Sequence, residues 1–254
     1  MSNLLIVPPL PIAAIAATRG TGAQNLLTAD PKEVWADAAT GATTFTVDLG
    51  AARSIDTVFL GYVRRPLGDA TWSITGGLAN ANQVSIMAAS PLRVPDVAGN
   101  FADISHALWY GAAVNVRYLA ITVTQASGIA LTAGVLMIGK AFVAALGQEW
   151  GAGHQPVDTG SATPLPGGGF AIVEGATKRH NSWTFGDLTQ AEADQLELIA
   201  LDRGETKPVL VVEDATRSAG LRSRIFYGRF KRWQPYERRN KVQTKWELGA
   251  EEWV

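Results

Sequence analysis

The stretch that decides the fold is Thr43 to Val63, TTFTVDLGAARSIDTVFLGYV. Phe45, Val47 and Leu49 alternate with Thr44, Thr46 and Asp48, the period-2 pattern of a strand with one buried face. Gly50 follows, where a chain reversal needs a residue without a Cβ penalty. Ile55 to Val63 is apolar on both sides, as a central strand would be. The stretch therefore reads as strand, tight connection, strand.

Outward from it, short strands recur. Val34 and Trp35 open the domain. Ala70 to Thr75 alternates with Trp72 and Ile74 on one side, and Val84 with Ile86 marks another strand. Pro91 to Gly99 reads as a loop. Ile104 to Tyr110 packs His106, Leu108, Trp109 and Tyr110 close together. Arg117 to Thr124 sets Leu119, Ile121 and Val123 against Tyr118, Ala120 and Thr122. Val135 to Ile138 closes the unit. This spacing, with no convincing helix, predicts an antiparallel sandwich.

The order TFTVDLG, SIDTVFL, ATWSI, VRYLAITVT and LTAGVLMIGKAF resembles the galactose-binding-like, or discoidin-like, β-sandwich superfamily over about Val34 to Val143. The terminal cysteine pair of that superfamily is missing. The loops show no obvious cluster of exposed aromatics and Arg for a sugar, so the resemblance implies the fold more than carbohydrate binding.

Residues 147–169 hold Gly147, Gly151, Gly153, Pro156, Gly160, Pro164, Pro166 and Gly167 to Gly169, and read as a connector. The expected domains are an arm and loop over 1–33, a sandwich over 34–146, the connector, and a second domain over 170–254. In that second domain, strands surround one helix, Gln190 to Arg203. Thr189 and Glu192 form its capping box and Gly204 its C-terminal cap. Ala193, Leu196, Ile199 and Ala200 share a face. Val242, Thr244, Trp246 and Leu248 alternate in a last strand. This element order, with the closing run from Trp233 to Leu248, resembles the tail-tube-like domain of phage tube, distal-tail and hub proteins. The expected class is mainly β: a galactose-binding-like antiparallel β-sandwich followed by a tail-tube-like β-sandwich or split barrel with one helix.

Charged residues make up 18% of the chain, below the usual ~25%, and mean hydropathy is +0.07. Either much of the surface is buried against other subunits, or Thr, Ser and Asn form the polar surface of a β-rich extracellular protein. The net charge is −1, yet ten basic residues fall between Arg217 and Lys245, with Glu237 the one acid. No nucleic-acid motif accompanies them, so a solvated sheet face or an inter-subunit surface is the expectation, and sequence-specific nucleic-acid binding is not. Arg229, Lys231, Arg232, Arg238 and Arg239 are the candidate interface residues there. With no cysteine, disulfides, thiolate metal sites and thiol catalysis are excluded. The N-terminal run lacks a basic n-region, and Pro8, Pro9 and Pro11 break its apolar stretch, so it does not read as a signal peptide. It is too short to span a membrane. Read as an exposed arm, it would dock Leu4, Leu5, Ile6, Pro8, Pro9, Leu10 and Ile12 on a neighbouring subunit.

Catalytic chemistry finds no support. His106, His154 and His180 lack metal-ligand spacing. His106 reads as packed, His154 as solvated, and His180 as the most exposed of the three. No nucleophile elbow or phosphate loop is present. Glu251 and Glu252 read as a charged terminus, and Trp35, Trp72 and Trp109 as core rather than a sugar platform. The expectation is a non-enzymatic protein without cofactor or metal. The resemblance implies a structural subunit of a phage tail tip in the virion tail, forming a homo-oligomeric ring with other tail proteins. The alternative is a non-catalytic carbohydrate-binding module of a secreted or surface protein, with a glycan as partner.

Overall fold

The structure is a computed structural model that describes residues 4–64, 66–81, 83–93, 103–216, 220–231, 233–238 and 243–253. In chain order the elements begin β1 (Leu4–Val7), β2 (Ala14–Ala17), β3 (Trp35–Ala36), β4 (Gly41–Arg64), β5 (Thr71–Gly77), β6 (Val84–Pro91), β7 (Ile104–Gln125), β8 (Thr132–Ala133), β9 (Val135–Gly139) and β10 (Phe142–Val143). They continue with β11 (Gly153–Asp158), β12 (Ser161–Pro164), β13 (Phe170–Val173), β14 (Thr177–Leu188), α1 (Gln190–Arg203), β15 (Pro208–Glu213), α2 (Leu221–Arg224), β16 (Ile225–Phe230), β17 (Glu237–Arg238) and β18 (Thr244–Glu252). The protein is mainly β and its strand pairs are antiparallel. Most of the loop expected up to Gly99, and Val242 of the expected last strand, lie outside the described residues.

The chain forms two units. The larger comprises Asn3–Val143 and Val209–Phe226, and the smaller includes Ala144–Pro208 and Tyr227–Val254. This differs from the division expected at residue 146, because residues 209–226 return to the first unit.

In the larger unit, β4 does not reverse at Gly50. It runs on for 24 residues and pairs with β7 along its whole length, from Gly41↔Gln125 to Arg64↔Ile104. A flat strand of that length would span roughly 80 Å, against a radius of gyration of about 15 Å for a unit this size. The ribbon must therefore bend, and offset bulges bend it. Between Asp48↔Tyr118 and Arg53↔Val116, residues 49–52 of β4 face Arg117 alone. Between Ile55↔Val114 and Thr57↔Tyr110 the excess lies on β7, at residues 111–113. Gly50 sits in the first bulge at φ +76°, and its N–H donates to Asp48 Oδ1 at 2.7 Å. The Arg117 guanidinium grips the same carboxylate at 2.9 and 3.1 Å. Gly50 thus marks irregular backbone, but a bulge rather than a turn.

The first half of β4 also pairs with β2, and the second half with β9, while β5 and β6 extend the sheet from β7. Phe45, Val47 and Leu49 from the first half, and Ile55, Val58, Leu60 and Val63 from the second, lie in one hydrophobic cluster with Trp35, Trp72, Ile74, Leu119 and Ile121. Trp35 and Trp72 are core, as their strand context predicts, and Trp35 meets Phe45 edge to face at 4.7 Å. His106 is buried and accepts the Tyr62 N–H at Nδ1 (3.1 Å), which places its proton on Nε2. Arg19 closes the edge of the unit with a two-pronged bond to Asp37 at 2.6 and 2.7 Å. Burial would raise the Asp37 carboxyl, but Arg19, Thr43 and the Ala38 N–H outweigh it and hold it below the usual carboxylate range.

The N-terminal run is not an exposed arm. Leu4, Leu5, Ile6 and Val7 are buried in β1, which pairs with β15 (Leu4↔Glu213 to Val7↔Leu210) and with β10. Pro8 and Pro9 are half-buried, and Pro9 bridges to Gly139. Leu10 and Ile12 pack on the core of the larger unit. Their apolar surface is covered within the chain, so the reason for docking them on a neighbour falls away. Ile6→Ala should cost about 2–5 kcal/mol of stability, as buried large-to-small changes do. Urea melts at several protein concentrations check this: the loss should be the same at each, whereas an interface residue would show a concentration-dependent loss.

Candidate ligand-binding cleft

In the smaller unit, β14 lies between β11 and β18, and β18 also pairs with β16 and β17. Trp183, Phe185, Leu188, Phe230, Trp246, Leu248 and Ala250 are buried, with Ala193, Leu196 and Ile199 of α1. The helix begins and ends as its sequence predicts, with a reciprocal Thr189–Glu192 capping box and Gly204 at φ +53°. The segment expected as connector instead contains β11 and β12, and among the described residues β12 pairs with β13 as a two-stranded hairpin.

The strand register builds a charged cluster. Glu251 of β18 faces His180 of β14 on one side and Arg229 of β16 on the other. Lys178 and Lys231 lie two residues further along the same strands, and side chains two apart share a face. Lys178 Nζ therefore bonds Glu251 Oε1, while Arg229 and Lys231 approach Oε2 at 3.3 and 3.7 Å. The Glu251 side chain is 7% exposed. The hydrogen bond from Lys178 holds its carboxyl below the usual range, against the opposing pull of burial and with help from Lys231 and Arg229. Next to it, Arg179 binds Glu252 with side-chain bonds of 2.6 and 3.0 Å.

A cleft of about 520 Å³ opens beside this cluster, lined by Thr159, Ala176, Lys178, Thr206, Arg229, Glu251, Glu252 and Trp253. Trp253 is half-buried, its N–H bonded to the Tyr227 carbonyl at 3.0 Å and its ring 6.4 Å from the buried Tyr227 ring. The cleft thus combines an anchored aromatic wall with hydroxyls, cations and carboxylates. A hollow of about 400 Å³ in the larger unit is lined by Pro31, Lys32, Val34, Arg64, Ala130 and Thr132, and no aromatic ring lines it.

Of the basic residues that the sequence offers as an interface, Arg229 and Lys231 do share a face, with Phe230 buried on the other. Their charges meet an acid of their own chain, Glu251. Arg238 is exposed in β17, and Arg232 and Arg239 lie outside the described residues. His180 is half-buried rather than exposed, with Nδ1 buried, and His154 is exposed but in a strand. Glu251 is not part of a solvated charged terminus but the centre of the site. Its neighbours on the face depend on strand pairing, which local sequence does not carry. Among the described residues, no group of three or more His, Asp or Glu could hold a metal, and no helix is long and apolar enough to cross a membrane.

No protein-family model and no curated protein matches the chain. Several solved structures do. The CBM32-6 module of CpGH89 produced by Clostridium perfringens is 14% identical, covering 50% of this chain and 92% of that one, with a TM-score of 0.39. The CBM32 of AlyQ, in complex with 4,5-unsaturated mannuronic acid, is 18% identical over 52% and 97% of the two chains, with a TM-score of 0.39. CBM32-3 from a family 31 glycoside hydrolase of Clostridium perfringens is 20% identical over 51% and 90%, with a TM-score of 0.42. At these levels of likeness nothing about function passes to this chain.

The Glu251 cluster makes a pH prediction. A carboxyl whose folded pKa is lowered adds stability above its unfolded value, about 4.3 for Glu, and loses it as pH falls through the folded value. Glu251→Gln should therefore cost about 1–3 kcal/mol at pH 7. The gap from wild type should narrow as chemical melts are moved below about pH 4.

Proposed function

We propose that this protein is a non-catalytic carbohydrate-binding protein. The observation that supports this is the cleft in the smaller unit. Sugars present apolar C–H faces and dense hydroxyls, and a half-buried Trp253 beside Thr206, Arg229 and Lys178 offers a partner for each. A thermal-shift screen against a glycan panel tests the reading. A ligand at about a hundred times its Kd adds roughly 2.7 kcal/mol, a rise of several degrees in Tm. Trp253→Ala should abolish the rise. If no glycan shifts Tm, the reading is wrong.

A second reading, a structural subunit of a phage tail tip, is favoured by a separate observation. Every residue of β12 and β13 is exposed. Phe170, Ile172 and Val173 are 64%, 69% and 67% exposed, an apolar load that an isolated two-stranded hairpin would not hold out to water without a partner. Both readings hold together if the cleft serves an assembled particle. Light scattering should find multiples of the 27.0 kDa chain. Phe170→Ser with Ile172→Ser should return it to monomer without lowering Tm by more than about 1 °C, since exposed sites rarely change stability. A monomeric wild type at high concentration would remove this reading.

A further inference from the structure

We propose that the cleft selects acidic saccharides, those carrying a carboxylate or a sulfate ester, over neutral ones; this rests on the carbohydrate reading and specifies its ligand. Lys178, Arg229 and Lys231 converge on Glu251, three cations on one carboxylate. The Arg179–Glu252 pair contributes none, since each neutralises the other. Two positive charges are therefore left over around Glu251, which lines the cleft with Lys178 and Arg229 and also holds Lys231 at 3.7 Å, although that carboxylate is itself almost wholly buried.

Donors are left over too. Arg229 has five N–H groups, and its bonds go to the Glu205 carbonyl at 2.9 Å and to Glu251 at 3.3 Å. Lys231 stands 3.7 Å from Glu251, beyond hydrogen-bond length, and its side chain is half exposed. Both groups can turn donors to an incoming oxyanion while Glu251 keeps them in place. A charge-assisted bond of that kind is about twice as strong as the neutral bond a sugar hydroxyl would make, so the oxyanion decides the preference. Trp253 and Thr206 then take the rest of the ring. Glu251 is a positioning residue here, because it acts by collecting the cations.

Calorimetric titration of the full chain tests this with four probes: a galacturonate tetrasaccharide, a sulfated galactan tetrasaccharide, the neutral galactan of the same length and a 12-base-pair DNA duplex. Both acidic sugars should bind at least about tenfold tighter than the neutral one, with a preference that shrinks as salt rises from 50 to 500 mM. If one acidic sugar binds and the other does not, that probe names the oxyanion. Lys231→Gln and Arg229→Gln should each lower the preference several-fold, and Arg229→Lys should restore part of it. Equal binding of acidic and neutral sugars overturns the inference while leaving the carbohydrate reading in place. No binding of any sugar overturns both, and duplex DNA bound more tightly than every sugar, with a steep salt slope, assigns the surplus charge to nucleic acid instead.

Discussion

The pairing of β4 with β7 is the constraint on which the larger unit depends. A single antiparallel ribbon supplies strands to both layers of the sandwich, and the layers face each other because the ribbon bends between them. The register shifts come from excess residues, first on β4, then on β7, and again on β4 at Gly61 and Tyr62. At the first bend the excess on β4 faces one residue of β7, Arg117. That residue grips Asp48, which also takes the Gly50 N–H. One carboxylate thus fixes the kinked backbone and ties it to the opposite strand. The remaining strands of the sandwich are placed by this ribbon: β2 and β9 pair with its two halves, and β5 adds to the far side of β7.

In the smaller unit the ordering element is strand register rather than strand curvature. Glu251 is unremarkable in sequence, one of two glutamates near a chain end. Only the pairing of β18 with β14 and β16 surrounds it with Lys178, His180, Arg229 and Lys231. Its burial is tolerable because three cations compensate it, whereas a lone buried carboxylate would be costly. The same geometry gathers three cations around one carboxylate beside the cleft, so the stability of the unit and the character of its surface have a common origin.

Much of the fold is legible locally. The alternation of Phe45, Val47 and Leu49, and of Leu119, Ile121 and Val123, marks strands with one buried face, and these residues are buried. The capping box at Thr189 and the glycine at 204 bound the helix correctly. What local pattern does not give is partnership. Leu4 to Val7 is apolar at every position, which suits an exposed sticky arm and a strand buried on both faces equally well, and the deciding fact is a partner some 200 residues away. The glycines and prolines of 147–169 conceal β11, since an exposed edge strand has little apolar alternation to show. The candidate site is illegible for the same reason. Its residues come from three strands and the segments beside them, and only strand pairing brings Glu251, Glu252 and Trp253 to Lys178 and Arg229.

The pairing of β1 with β15 has a consequence in time. Leu4 is made 209 residues before its partner Glu213. Until then β1 has only the two residues of β10 to pair with. The sandwich ribbon can close far earlier, since β7 ends at Gln125. The protein therefore carries an apolar strand that waits while the 209 residues up to its partner are made, past the point at which the ribbon beside it can close. Contacts of such sequence separation are slow to form and leave surfaces open to wrong partners meanwhile. The larger unit is complete only once β15 has arrived to pair with β1.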